Sequence, residues 1–374
     1  MPVDLTVLAP AERAALALRG LYERYGYRQY RMSQFEEYSL YMDNKSFLES
    51  ESVAVFTDLD GRLMALKPDV TLSIVRHAAP NPTAAEKLYY TENVFRPSEA
   101  SHTFKEISQI GIEYIGRLDS YAKGEVTALA AATLFEVSPD CLLEIGHMGF
   151  TVGLLDALGL CDGARAAALT ALRQKNAAGL AAAAAAAGLT ESAAAALTAL
   201  PSLYGGFAAT RQRAQALCRS PRMAAALAEL DAVFAAAQAA GAQARLELDL
   251  SLAGDTDYYN GLLLRGYLQG LPRAALTGGQ YDSILHKFKK QGGGIGFALD
   301  LSLIALLPAP RPAADIDLLV RYAPAADPAA VAAAVADAAR RGLRVRALPQ
   351  TEDDSGLRAA GVFVVGAAGE GTPC

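Results

Sequence analysis

The sequence has few of the residues that build metal centres and redox sites. Its 374 residues include only four cysteines and four histidines. The cysteines, Cys141, Cys161, Cys218 and Cys374, lie far apart and form no Cys-x-x-Cys pair. This spacing predicts free thiols and no bound metal, because too few histidines remain to complete a ligand set. The histidines also stand in unrelated contexts, so they do not suggest a Ser-His-Asp constellation.

The chain also lacks a surplus of positive charge, a long apolar run and a secretory signal. Its formal net charge of -6 argues against a nonspecific binder of polyanions, although a local basic patch would be compatible with it. The alanine run at 181–187 is too short and too weakly apolar to cross a bilayer, and it indicates a helix. Residues 1–13 have neither a basic start nor a continuous apolar stretch. We therefore expect a soluble, cytoplasmic protein without a membrane partner.

The pattern in the first third of the chain is typical of an α+β domain. Apolar residues at helical spacing predict an amphipathic helix over 11–25 that ends at Gly26. Asp60-Gly61 predicts a hairpin turn. Extended segments that suggest a mostly antiparallel sheet follow the helix, at 27–31, 52–57, 63–66, 87–96 and 106–115.

The remaining sequence predicts an insertion and a second unit. Residues 163–243 are rich in alanine and poor in strand formers, which indicates a helical insertion. Strand character returns at 245–250, 257–269 and 277–298, and a helix is predicted to begin near Asp300. A linker at 308–314 is rich in proline and alanine. We therefore expect a domain at 1–307 and a truncated α/β unit at 315–374.

One predicted strand, 107–115, has two different faces. Alternation places Ile110, Ile112 and Tyr114 on one face, and Gln109, Gly111 and Glu113 on the other. The second face is either a solvent-exposed strand side or a polar floor for a small ligand. In the second interpretation, glycine leaves room for the ligand between the two polar side chains.

Other polar and glycine-rich positions also have two interpretations. Asp69 can cap a helix, or it can grip an ammonium group together with Thr71. Tyr258, Tyr259 and Tyr281 offer hydrogen-bonding ends, although buried tyrosines usually belong to a core. The run 292–296 lacks the Gly-Lys-Ser/Thr ending of a phosphate loop, so we reject a nucleotide loop there.

Taken in order, these segments resemble the catalytic domain of histidyl-tRNA synthetases over roughly residues 10–305. The resemblance implies a class II synthetase fold with a six-stranded antiparallel sheet. Each motif is modest alone, and the ordered set is specific. The matching segments are 21–27 (LYERYGY), 66–71 (LKPDVT), 94–96 (VFR), 107–113 (ISQIGIE), 257–259 (DYY), 278–282 (GGQYD) and 294–298 (GIGFA).

Departures from this family affect the groups that would hold ATP. Gly254 stands where the family carries an arginine that acts on the histidine carboxylate and the α-phosphate, and Leu303 stands where it carries an arginine that holds ATP. The family's arginine-rich loop is reduced to 97–105, without arginine. Ser33 replaces a proline of the first class motif. Only Arg96 and, as a weaker candidate, Lys105 remain as cations. Adenylation depends on fixed cations that stabilise phosphate charge, so an active synthetase is not expected.

The positions that read histidine in the family are retained. The resemblance implies that Asp69, Thr71 and Gln109 hold the α-amino end, and that Glu113 and Tyr259 hold the imidazole. Asp69 is one methylene shorter than the family's usual glutamate. The complete predicted effector site also includes three further residues, Arg96, Tyr258 and Tyr281.

This profile resembles the regulatory subunits of short-form ATP phosphoribosyltransferase. It implies a non-catalytic chain that activates a separate catalytic subunit and contributes to feedback inhibition by L-histidine. It also implies a homodimer within a hetero-oligomer, taken as a hetero-octamer, with no cofactor and no tRNA. The alternatives are a divergent synthetase or amino-acid ligase, opposed by the missing arginines, and an RNA-binding module. The RNA-binding interpretation is opposed by the acidic charge and the short C-terminal unit.

Overall fold

The structure, a computed structural model, describes residues 8–45, 48, 52–79, 84–98, 101–254, 258–308, 314–367 and 371–373. The chain divides into two compact units, Met1–Pro308 and Ala309–Cys374. Most of the predicted linker and of the N-terminal segment, together with Cys374 and Asp257, lies outside the described residues.

The described residues form both helices and strands. The helices are α1 (Pro10–Arg24), α2 (Tyr38–Met42), α3 (Thr71–His77), α4 (Ser120–Val137), α5 (Met148–Ala157), α6 (Asp162–Arg173), α7 (Ala177–Ala186), α8 (Glu191–Ala199), α9 (Phe207–Ala216), α10 (Pro221–Ala239), α11 (Asp282–Lys287), α12 (Leu301–Ile304) and α13 (Pro328–Arg340). The strands are β1 (Arg28–Gln29), β2 (Phe35–Glu37), β3 (Val55–Thr57), β4 (Leu63–Leu66), β5 (Glu86–Ser98), β6 (Thr103–Gly116), β7 (Cys141–His147), β8 (Tyr204–Gly206), β9 (Arg245–Asp249), β10 (Leu262–Leu268), β11 (Leu276–Gln280), β12 (Gly293–Asp300), β13 (Ile316–Tyr322), β14 (Val345–Pro349), β15 (Ala359–Val365) and β16 (Gly371–Pro373).

The first unit is built on a sheet with the strand order β1-β5-β6-β12-β11-β10-β7-β9-β8. Its six central strands, from β5 to β7, pair antiparallel throughout. Parallel pairs occur only toward the sides of this sheet, between β1 and β5 and between β7 and β9. The expected class II sheet of six antiparallel strands is therefore confirmed.

Each face of this sheet has its own apolar core. Helices α1 and α4 pack against one face, α10 packs on α4, and the alternate residues Ile110 and Ile112 of β6 point into this core. On the opposite face, Tyr90 and Ile115 pack with residues of α3 and α11. A smaller sheet of order β2-β4-β3 lies in the same unit, and β4 leads directly into the α3 segment. Because β-strand side chains alternate between faces, β6 contributes to both cores.

Several local features differ from the sequence prediction. Strand β7 was not predicted, although it occupies a central place in the sheet. The alanine-rich segment forms α6 to α10 but also contains the short strand β8, which pairs with β9. Helix α11 interrupts the segment that was predicted to be extended. The glycine-rich run 292–296 lies largely in β12 and is not a nucleotide loop.

The second unit is a small α/β sheet. Its strand order is β14-β13-β15-β16; the first three strands are parallel, and β16 pairs antiparallel with β15. Helix α13 connects β13 to β14, as a parallel crossover requires. Asp327 caps this helix by accepting the Ala329 amide proton at 2.9 Å.

Within the described residues, no helix is both long and apolar enough to cross a membrane. In the same part of the chain, no group of three histidine, cysteine or acidic side chains could hold a metal ion. Cys141, Cys161 and Cys218 are free thiols.

Candidate ligand-binding site

A cavity of about 280 Å³ opens on the sheet face that carries α3 and α11. Its volume is close to the lower end of the range for small-molecule pockets, which suits a ligand the size of one amino acid. All eight predicted site residues line it, namely Asp69, Thr71, Arg96, Gln109, Glu113, Tyr258, Tyr259 and Tyr281. The structure thus brings together residues from five separate segments of the chain.

Glu113 is the most deeply buried acid of this cavity, with 2% of its surface exposed. Its Oε1 accepts a hydrogen bond from the Thr71 hydroxyl at 2.7 Å, and its Oε2 accepts one from the Tyr281 hydroxyl at 2.5 Å. The carboxyl lies over Gly296 of the neighbouring strand, where a Cβ atom would overlap it. Glycine is therefore required at this position for Glu113 to turn into the cavity.

Burial raises the pKa of Glu113 to about 8. The negative charge of Asp69 raises this pKa further, while the hydroxyl donors Tyr281 and Thr71 oppose the increase. Below about pH 8 the Glu113 carboxyl is therefore mostly protonated. It can then donate a proton to a ring nitrogen, whereas its ionised form can accept one.

Asp69 caps a helix and also lines the cavity. Its Oδ1 accepts the Leu72 amide proton at 2.8 Å and so caps the start of α3, while the same side chain lines the cavity. Arg96 fixes the preceding turn by donating from Nε to the Pro68 carbonyl oxygen at 2.9 Å. Capping therefore holds the Asp69 carboxylate in a defined orientation at the cavity wall.

Three tyrosine rings form one side of the cavity. The rings of Tyr258 and Tyr259 lie with centroids 4.6 Å apart, and Tyr258 meets Tyr281 edge-on at 6.4 Å. Burial, followed by the charge of Glu113, raises the pKa of Tyr281 well above its ordinary value, so its hydroxyl remains a donor. The rings therefore supply both packing surface and fixed hydrogen-bonding groups.

The two-faced strand was predicted correctly in one respect and incorrectly in another. Gln109 and Glu113 face the cavity, so the solvent-exposed alternative is wrong. The prediction that Gly111 leaves room for a ligand is wrong, because a Cβ there would lie 2.6 Å from the Tyr90 hydroxyl. Tyr90, directly opposite on β5, fills that space. Strand alternation could have placed Tyr90 on this face, but the prediction did not assign it to the site.

The cations of the cavity also differ from the prediction. Lys105 is absent from its described lining, whereas Arg265 of β10 is part of it. Leu303 packs in the core on the opposite face. At Gly254 a Cβ would lie 2.9 Å from the Tyr259 ring, so that ring occupies the space beside the backbone. No motif identified Arg265, and only the pairing of β10 with β11 and β7 reveals its place.

The sequence of this chain is similar to those of known proteins. The family model described as histidyl-tRNA synthetase matches residues 7–304. An ATP phosphoribosyltransferase regulatory subunit from Anaeromyxobacter dehalogenans (strain 2CP-1 / ATCC BAA-258) is 33% identical over 313 residues, covering 80% of this chain and 89% of the relative. A protein of the same name from Moorella thermoacetica (strain ATCC 39073 / JCM 9320) is 31% identical, with coverages of 82% and 81%. The chain belongs to the family of ATP phosphoribosyltransferase regulatory subunits.

Solved structures agree with this family at the level of the fold. A regulatory subunit/histidyl-tRNA synthetase from Bacillus halodurans aligns with a TM-score of 0.76 and 23% identity, covering 96% of this chain and 94% of that one. Histidyl-tRNA synthetase from Nostoc sp. PCC 7120 aligns with a TM-score of 0.72 and 16% identity, with coverages of 100% and 96%. The regulatory-subunit family to which this chain belongs therefore shares the fold of histidyl-tRNA synthetases.

Proposed function

We propose that this chain assembles with a separate catalytic ATP phosphoribosyltransferase subunit, activates it and contributes to its inhibition by L-histidine. A chain of the ATP phosphoribosyl transferase complex from Thermotoga maritima shares the fold, with a TM-score of 0.62 and 18% identity over 78% of this chain and 97% of that one. The reaction would be the first step of histidine biosynthesis, in the cytoplasm. Feedback requires that the end product have a binding site on the assembly.

The observation that carries the histidine proposal is the composition of the cavity. Its floor offers a buried carboxyl, Glu113, held by two hydroxyl donors, and its wall offers the fixed carboxylate of Asp69. The first group suits an imidazole and the second suits an ammonium. A site of this kind can bind histidine without carrying out phosphate chemistry.

A lack of adenylation activity is expected for the same cavity. Gly254 has no side chain, and Leu303 lies in the apolar core, so neither can supply a cation to a phosphate. Histidine-dependent pyrophosphate exchange should not exceed the protein-free background. Gly254→Arg should not produce histidine-dependent exchange, because the Tyr259 ring occupies the space that the arginine side chain would need. Clear histidine-dependent exchange by the purified wild-type chain would contradict the assignment.

Assembly can be tested with both purified subunits. We expect a homodimer of this chain at micromolar concentration and a larger hetero-oligomer, taken as a hetero-octamer, after addition of a short-form catalytic subunit. Light scattering after size-exclusion chromatography gives both masses. The turnover of the catalytic subunit should rise in the complex and fall on addition of histidine. A monomer that remains unchanged with the catalytic subunit present would contradict this proposal.

The C-terminal unit is not required for the histidine proposal. We propose that residues 315–374 form a small α/β unit that follows the linker 308–314, and that the chain uses neither a cofactor nor tRNA. The acidic net charge of -6 supports the last point, because RNA affinity depends strongly on clustered basic residues. An absence of tRNA binding at low salt, measured by filter retention, is the corresponding expectation.

A further inference from the structure

Arg265 lines the cavity, but it belongs to none of the sequence motifs and to none of the proposed histidine contacts. Arg265 lies on β10 and points to the same sheet face as Leu263, whose side chain would approach a Cβ at Gly254. Its other neighbours include Tyr267 and Glu144: burial raises the pKa of both groups, and the charge of Arg265 opposes that rise. These neighbours limit the orientations of the guanidinium on the cavity side of the sheet.

Strand register places Arg265 at a defined distance from Glu113. Glu113 pairs with Gly296, Gly296 with Gly279, and Gly279 with Leu263 of β10. Arg265 follows Leu263 by two residues on the same face. At about 4.8 Å between strands and about 3.4 Å per residue, the backbones of Glu113 and Arg265 lie roughly 16 Å apart. The two side chains extend toward the cavity from its opposite ends and shorten this gap.

Small residues form the sheet surface between these two ends. Gly296 and Gly279 lie in the row of Glu113, and Ala298 and Thr277 lie in the row of Arg265. All four line the cavity. The Glu113 carboxyl covers Gly296 and the Tyr259 ring covers Gly279. An extended amino acid can therefore lie over these two groups, and over the short side chains of Ala298 and Thr277, between the carboxyl and the guanidinium.

We propose that Arg265 binds the α-carboxylate of the amino acid held in this cavity, and so takes the place of a cation at Gly254. This inference rests on the proposed binding of histidine. A guanidinium can bind a carboxylate through two parallel hydrogen bonds, and such pairs are specific because the geometry is planar. The amino acid is then read at three points, with Glu113 at the ring, Asp69 at the ammonium and Arg265 at the carboxylate.

Arg96 is less suited to this role, although it also lines the cavity. Its Nε is engaged by the Pro68 carbonyl oxygen, so the side chain is directed toward the turn between β4 and α3. Register places its backbone opposite Lys105, eight residues along β6 from Glu113. The backbone of Arg265, roughly 16 Å from that of Glu113, therefore lies nearer to Glu113 than the backbone of Arg96 does.

The test compares histidine with histamine, which has the same ring and ammonium but no carboxylate. Isothermal titration calorimetry measures both ligands with wild type, Arg265→Met and the control Arg245→Met, whose side chain is 69% exposed on β9. Wild type and the control should prefer histidine over histamine by about tenfold or more. Arg265→Met should lose that preference through weaker histidine binding, with histamine affinity unchanged. Arg265→Lys, which keeps the charge without the paired geometry, should fall between them.

Three results would overturn the inference. If Arg265→Met keeps the full preference for histidine, another group reads the carboxylate, and histidine binding itself still stands. If histidine and histamine weaken equally, Arg265 supports the cavity structurally and does not read the carboxylate. If wild type binds neither ligand, alone or with the catalytic subunit, both this inference and the proposed histidine site fail.

Discussion

Replacing Glu113 with alanine is expected to weaken histidine binding by at least about tenfold. Loss of the partner of a buried charged group costs roughly 2 to 5 kcal/mol, and tenfold corresponds to about 1.4 kcal/mol. The substitution also leaves the hydroxyls of Thr71 and Tyr281 without the acceptor that they share. Calorimetry with the purified chain and with its complex measures the effect.

A matched control for this substitution lies on the same strand. Glu106 of β6 is exposed and outside the described lining of the cavity, so Glu106→Ala should leave histidine affinity unchanged. Equal binding by wild type and Glu113→Ala would show that the inhibitor uses another site, such as the junction with the catalytic subunit. An absence of binding by both, even with the catalytic subunit present, would leave this chain as an activator only.

The same carboxyl gives the binding a characteristic dependence on pH. Burial raises the pKa of Glu113 to about 8, and an imidazole ordinarily titrates near about 6.5. We expect the complex to hold one proton between them. Below about pH 6.5 both partners are protonated and one proton must leave. Above about pH 8 both are deprotonated and one must be taken up, so affinity should be highest between these values.

The charged groups around Glu113 affect this profile in known directions. Asp69 raises the pKa of Glu113, and Arg96 and Arg265 face the same cavity from β5 and β10. Glu113→Gln removes the titrating group while keeping its size, so the decrease in affinity above about pH 8 should disappear. The decrease below about pH 6.5 should remain in that variant, because it comes from the ligand. A wild-type affinity that is constant from pH 6 to pH 9 is incompatible with this mechanism.

Strand alternation predicted the two faces of one strand, whereas the resemblance carried by the ordered motifs predicted the fold and the other candidate site residues. Alternation placed Gln109 and Glu113 on one face of β6, and the ordered motifs indicated the antiparallel sheet that the structure contains. Strand β7 was missed because its short apolar run, Cys141–His147, lies directly between two helical segments. Short runs of this kind do not distinguish a strand from a helix.

The remaining parts of the site depend on contacts between distant strands. Arg265 joins the cavity because β10 pairs with β11, and β11 with β12, which neither spacing nor composition indicates. Gly294 and Gly296 were recognised as part of a motif, but the sequence did not show why glycine is needed there, and the reason is steric. Side chains of Tyr281 and Glu113 cross the strand where a Cβ would stand. Such crossings become visible only when the register is known.

The second large effect, on folding stability, is expected from substitution of Lys67, which belongs to the segment that carries Asp69 and Thr71. Its side chain is fully buried, and its Nζ forms an ion pair with Glu92 Oε2 at 2.5 Å, where 9% of the Glu92 side chain is exposed. The Lys67 backbone also donates to the Gln34 carbonyl oxygen and accepts the Phe95 amide proton. The Lys67–Glu92 ion pair therefore links the turn between β4 and α3 to strand β5.

Lys67→Met should lower the free energy of unfolding by roughly 3 to 5 kcal/mol, because it leaves the Glu92 carboxylate buried without its cation. The double variant Lys67→Met/Glu92→Leu removes both charges and should recover most of that loss, since apolar pairs often replace buried ion pairs without a large cost. Lys105→Met, on the exposed side of β6, is the control and should change stability by less than about 0.5 kcal/mol. Urea denaturation followed by tyrosine fluorescence and circular dichroism measures all four proteins. If the double variant is no more stable than Lys67→Met, the two charges are not coupled. The turn that presents Asp69 and Thr71 would then be held by its backbone hydrogen bonds and by Arg96.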